Sequence, residues 1–134
     1  MPDSKPVLSS ASPERLWALV ARPDQWYRWS PYVRGAEGLG SPEVREGAKG
    51  KVILAGGLKL PAEILDVTPG SSWTWRVGGI VVVHIVTPAP GGSQLEMPVR
   101  ATGAPWKPAA MAYQPFIRLI ARRIAAVAER DSGG

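Results

Sequence analysis

Apolar positions recur along this chain with two different periods. Near the N-terminus Leu16, Trp17, Leu19 and Val20 form one stripe at helical spacing. Ser12-Pro13-Glu14 ahead of them is a helix start. The serine hydroxyl can accept from a free amide, proline suits the first helical position, and glutamate favours the positive end of the dipole. Arg22-Pro23 stops this helix. Asp24 then caps a second, short helix over 25–29, with Trp26 and Trp29 on one face. Pro6 to Ser10 predicts a short first strand. From Gly50 the period becomes that of strands: Lys51 to Ala55, Leu58 to Val67, Ser72 to Val77, Ile80 to Val86 and Gln94 to Ala101. Gly56-Gly57, Thr68-Pro69-Gly70-Ser71, Gly78-Gly79 and Pro88 to Gly92 are the turns between them. In the last strand Leu95, Met97, Val99 and Ala101 alternate with Glu96, Pro98 and Arg100, and Pro98, lacking an N–H, predicts a gap in pairing.

Residues 32–50 read as a connection with one weak strand near Ser41 to Arg45. After Gly103-Ala104-Pro105 the stripe Met111, Tyr113, Phe116, Ile117, Ile120, Ile124 and Val127 predicts a long helix to near Arg130. Pro115 should kink that helix or delay its regular part. Residues 1–6 and 131–134 read as frayed ends. Strands and helices are segregated, so the fold class is α+β, one domain over 1–134. About seven antiparallel strands can bury one long amphipathic helix only by curving around it. Such a sheet leaves a space beneath the helix wherever facing side chains do not fill it.

Composition narrows the chemistry. Among 134 residues there is no cysteine, which removes disulfides, thiolate metal sites and a cysteine nucleophile. His84 is the one histidine, so a metal site is not expected, and a Ser-His-Asp arrangement would have to centre on it. The net charge is +5, and Arg118, Arg122 and Arg123 lie off the apolar stripe of the last helix. No basic groove interleaved with aromatics accompanies them, so they read as a solvated face, with no nucleic-acid partner. The longest apolar run, Ile80 to Val83, is far too short for a membrane span, and no apolar leader precedes it. These features predict a soluble, cytoplasmic protein.

The segment Ser10-Ala11-Ser12-Pro13-Glu14-Arg15-Leu16-Trp17-Ala18-Leu19-Val20, with Pro23-Asp24-Gln25-Trp26 and Arg28-Trp29-Ser30-Pro31, resembles the opening of the SRPBCC superfamily. Within it the likeness is to the START-like family of polyketide cyclase/dehydrase and lipid transport proteins. It continues through Val67-Thr68-Pro69-Gly70, Trp73-Thr74-Trp75-Arg76-Val77-Gly78-Gly79, His84, Gly91-Gly92-Ser93 and Gly103-Ala104-Pro105. The resemblance implies a helix-grip fold: a seven-stranded antiparallel sheet around a C-terminal helix, with a hydrophobic cavity between them. It implies binding of apolar small molecules. In some members it implies cyclisation, aromatisation or dehydration without a metal or redox cofactor.

A two-residue turn at Gly78-Gly79 sets a register: Val77 faces Ile80, Trp75 faces Val82 and Trp73 faces His84. One face then carries Trp73, Trp75, Val77, Ile80, Val82, His84 and Val86, and this face is assigned to the concave side. The other carries Thr74, Arg76, Val81, Val83 and Ile85; its apolar members leave the choice of face open. The ligand-binding candidates are Trp73, Trp75, Val77, Val82, Met97, Val99, Trp106, Tyr113 and Ile117. Aromatic walls suit flat polycyclic guests, and plain core packing is the competing use of the same residues.

His84 is the catalytic candidate: an imidazole in an apolar pocket, titrating near neutrality and exchanging a proton with a ligand. A four-residue turn at 68–71 would put Asp66 opposite Trp73 and beside His84, where a carboxylate would raise the imidazole pKa. The alternative for His84 is a strand histidine bonded to a neighbour. Three functions stay open. The leading one is a binder of a lipid- or polyketide-like molecule. The second is a cofactor-independent cyclase, aromatase or dehydratase using His84. The third is a non-catalytic interaction protein with a filled core, whose Val81, Val83 and Ile85 surface pairs with a partner or, as a homodimer, a second copy.

Overall fold

The computed structural model describes residues 5–133. Strand β1 (Val7–Ser9) leads into helix α1 (Pro13–Ala21) and a 3-10 turn (Pro23–Arg28). Then come β2 (Val33–Glu37), β3 (Lys49–Leu54), β4 (Lys59–Thr68), β5 (Ser72–Val77), β6 (Ile80–Ala89), β7 (Gly92–Glu96) and β8 (Val99–Ala101). The chain ends in α2 (Lys107–Gly133). One antiparallel sheet has the order β1-β7-β6-β5-β4-β3-β2, with β8 also paired to β6. A long helix against one open sheet is the helix-grip arrangement. Helix α2 packs on β8, β1, β7 and α1, at one end of the sheet.

Helix α1 starts as its sequence dictates: the Ser12 hydroxyl accepts from Arg15 N at 3.2 Å. Its far end is closed less usually. The Trp29 and Trp26 indoles donate to the carbonyls of Leu19 (2.9 Å) and Val20 (2.8 Å), and Val44 N donates to Ala21 O (2.9 Å). Three consecutive carbonyls that a helix C-terminus leaves without partners are thereby satisfied.

That last bond explains a correction. The weak strand expected at Ser41 to Arg45 does not form; the edge strand is β2, at 33–37. Val44 is instead buried under α1, and Arg45 N turns back to Leu39 O at 2.9 Å. The strand expected over 94–101 breaks at Met97-Pro98 into β7 and β8, as the missing proline donor requires. Helix α2 is regular from Lys107, so Pro115 does not delay it. The carbonyl that Pro115 leaves unpaired belongs to Met111, whose side chain is 72% exposed, on a face where water can serve it.

The expected frayed tail is also corrected. Helix α2 continues through residues 131–133, and Asp131 forms a two-pronged ion pair with Arg28 at 2.7 and 3.0 Å. Residues 1–4 of the expected N-terminal fray, and residue 134, lie outside the described residues.

The register of β5 with β6 is the one the Gly78-Gly79 turn predicts: Val77 opposite Ile80, Trp75 opposite Val82, Trp73 opposite His84. The concave face carries Ile80, Val82, His84 and Val86. On the convex face Val81 is buried between its cross-strand neighbours Arg76 and Arg100, whose aliphatic stems can lie over it. Arg76 also pairs across to Glu63 at 2.7 Å. No described helix is long and apolar enough to cross a membrane.

Candidate functional site

Helix α2 covers one end of the concave face and leaves the middle strands uncovered. The result is a cavity of about 500 Å³ between the sheet, the 3-10 turn and the first half of α2. By liquid-water volume that is room for on the order of 15 waters, and within the range of small-molecule sites.

Four elements build its walls. The sheet supplies Val52, Leu54, Leu60, Trp73, Trp75, Val77, Ile80, Val82 and His84, with Met97 just beyond β7. The 3-10 turn and the segment after it supply Trp26, Trp29, Ser30 and Tyr32, and Val33 opens β2 beside them. Helix α2 supplies Ala109, Tyr113, Phe116, Ile117 and Ile120. No Asp, Glu, Lys or Arg is among these residues. No cluster of histidine and carboxylates able to hold a metal occurs among the described residues.

The floor is a column of parallel rings. Trp26 stacks on Trp73 with centroids 5.6 Å apart and planes at 9°, and Trp73 stacks on His84 at 3.7 Å and 5°. Trp75 stands edge-on to Trp26 at 5.3 Å and to His84 at 6.1 Å. At the rim Phe116 meets Tyr32 at 5.3 Å and Tyr113 at 6.3 Å. The phenol of Tyr113 is pushed up by desolvation, so it stays neutral.

His84 is only 3% exposed. Its Nδ1 lies 3.1 Å from the Trp73 carbonyl oxygen. A carbonyl can only accept, so Nδ1 carries the proton and Nε2 carries the lone pair. Burial pushes the imidazole pKa down to about 3, against a smaller opposing effect of the Trp73 carbonyl. The ring is therefore neutral near pH 7. The expectation that it titrates near neutrality is wrong, because no carboxylate offsets its desolvation.

Asp66 is the missing carboxylate. The hairpin closes through Ser71 N to Thr68 O at 2.9 Å, a three-residue connection over 69–71 with Gly70 at φ 79°. That places Val67, not Asp66, opposite Trp73, and Asp66 opposite Thr74 on the exposed face. A bulge between Ile64 and Asp66 absorbs the extra residue.

Of the ligand-binding candidates, Trp73, Trp75, Val77, Val82, Met97, Tyr113 and Ile117 border the cavity. Two do not. Val99 is buried opposite Val82, in the part of the core beneath α2. Trp106 is 44% exposed and lies over the Gly78-Gly79 turn, where a Cβ on Gly79 would sit 2.1 Å from its ring. Gly79→Ala should therefore displace Trp106 and lower stability by about 1–3 kcal/mol; denaturant unfolding followed by tryptophan emission checks this.

The sequence reading missed Val52 and Leu60, which face each other across β3 and β4. Their alternating pattern was visible, but the glycine turn between them gave no register. Trp26 and Trp29, adjacent on one face of a short helix, were the legible sign of the opposite wall.

Residues 4–130 match the family model described as polyketide cyclase / dehydrase and lipid transport. The chain is similar in fold to protein MLL2253 from Mesorhizobium loti, with a TM-score of 0.77 at 17% identity over 97% of this chain and 98% of that one. It is similar to protein BH1534 from Bacillus halodurans, with a TM-score of 0.74 at 13% identity over 96% and 97% of the two chains. A third likeness is to protein NE0264 from Nitrosomonas europaea, with a TM-score of 0.71 at 12% identity over 96% and 94%. No curated protein matches the sequence.

Proposed function

Because the chain belongs to the polyketide cyclase/dehydrase and lipid transport family, we propose that it binds a hydrophobic, lipid- or polyketide-like small molecule in the cavity between sheet and terminal helix. The observation that carries this reading is the cavity: about 500 Å³, walled by aromatic and aliphatic side chains, with no charged group on its lining. The rival in which the core is filled has less behind it, since that volume is left open by the protein's own side chains.

The catalytic rival has less support for a different reason. A general acid at His84 needs a proton on Nε2 near neutral pH, and a pKa of about 3 leaves none there. As a base the same ring is weak.

Native mass spectrometry of the protein purified from its source cell tests the proposal. A bound small molecule should travel with it. Leu60→Trp, which extends a ring into the cavity, should weaken binding of that molecule by about tenfold or more while the unfolding midpoint moves little. A protein that carries nothing, and takes up none of the lipids offered to it, would overturn the reading.

A further inference from the structure

The cavity is apolar except at a few points, and one of these lies deep. His84 makes a single hydrogen bond, from Nδ1 to the Trp73 carbonyl. Its Nε2 has no partner among the described residues. The fully sealed side-chain polar atoms without partners, among those residues, are Trp73 Nε1 and Thr87 Oγ1 alone. His84 Nε2 is therefore not sealed: it has accessible surface, and the space that His84 borders is the cavity. The tautomer makes it an acceptor and nothing else. Trp75, whose ring centroid is 6.1 Å from that of His84, has an indole N–H with no protein acceptor.

We infer that the cavity selects neutral ligands bearing a hydroxyl group, whose O–H donates to Nε2 of His84. This rests on the binding reading above and names the chemistry that the guest must bring. A carbonyl or ether oxygen cannot satisfy a lone pair. A hydrocarbon leaves it unpaired in a dry site. A carboxylate would be buried with no cation on the lining, so fatty-acid anions are disfavoured there.

Calorimetric titration with 2-naphthol, 2-methoxynaphthalene and 2-naphthoate at pH 7 tests this. The three share one ring body and differ in whether they donate, only accept or carry charge. Naphthol should bind about tenfold tighter than its methyl ether, and naphthoate weakest. His84→Phe should bring naphthol level with the ether. The chain holds one histidine, so selective nitrogen-15 labelling gives one pair of ring resonances. The Nε2 signal should shift on addition of naphthol and stay put with the ether, a readout that needs no variant to fold. Equal affinities for naphthol and ether would overturn the inference and leave the cavity reading standing. Binding of none of the three would overturn the inference, and the cavity reading falls with it only if the protein also takes up none of the lipids offered to it. A naphthol preference that survives in His84→Phe would also overturn it.

Discussion

Acidification should destabilise this protein through one residue. In an unfolded chain the imidazole titrates near 6.5, and in the fold burial holds it near 3. Between those values the unfolded chain carries a proton that the folded one refuses, so stability rises with pH across the window. It is fully present above about pH 6.5 and is lost as pH falls towards 3. The loss should reach about 2 kcal/mol between pH 7 and pH 5, with a ceiling of roughly 5 kcal/mol on further acidification. With His84 the sole histidine, the upper part of the window is free of other imidazoles, and carboxylates enter mainly below about pH 5. Urea unfolding at pH 7, 6 and 5 measures the slope. In His84→Phe the slope over this range should disappear. An unchanged slope in the variant would show that the wild-type ring is not held neutral.

Trp26→Ala should cost about 3–5 kcal/mol, much of the stability of a domain this size. Trp26 is almost fully buried, stacks on Trp73, meets Trp75 edge-on and donates to the Val20 carbonyl. Removal takes away the ring contacts, opens a void beside an existing cavity, and strips a helix-end carbonyl of its donor. Trp26→Phe helps to separate these effects: it keeps a six-membered ring for stacking and loses the N–H together with the smaller ring, so about 1–3 kcal/mol should go. Thermal or denaturant unfolding of both variants gives the two numbers. Equal losses would mean that the N–H and its five-membered ring carry the effect and that stacking of the six-membered ring is worth little.

Both effects depend on residues that the sequence exposed to different degrees. The sheet's central register was legible, because two glycines at a two-residue turn admit one pairing and place His84 opposite Trp73. The helix start at Ser12 and the break at Pro98 were legible for equally local reasons. Asp66 was misplaced because the hairpin is one residue shorter than expected, which shifts 66–68 by one position, while a bulge after Ile64 restores the expected pairing of Ile64 with Trp75 and Ala62 with Val77. The edge strand β2 was missed because Val33–Glu37 carries only Val33 and Ala36 as apolar residues around a glycine, while Val44, the better strand former, serves to pack beneath α1. Ring nitrogen chemistry was out of reach altogether. It follows from a carbonyl 3.1 Å away and from burial, neither of which has a local signature.

The indoles that close the end of α1 belong to the same rings that border the cavity. Reshaping that side for another guest would unravel the neighbouring helix, so Trp26 and Trp29 are poor targets for altering preference. Val52 and Leu60 on the sheet and Phe116 on α2 hold no helix-end carbonyl and can be exchanged for larger or smaller groups. Any programme to retune what this protein carries should begin there.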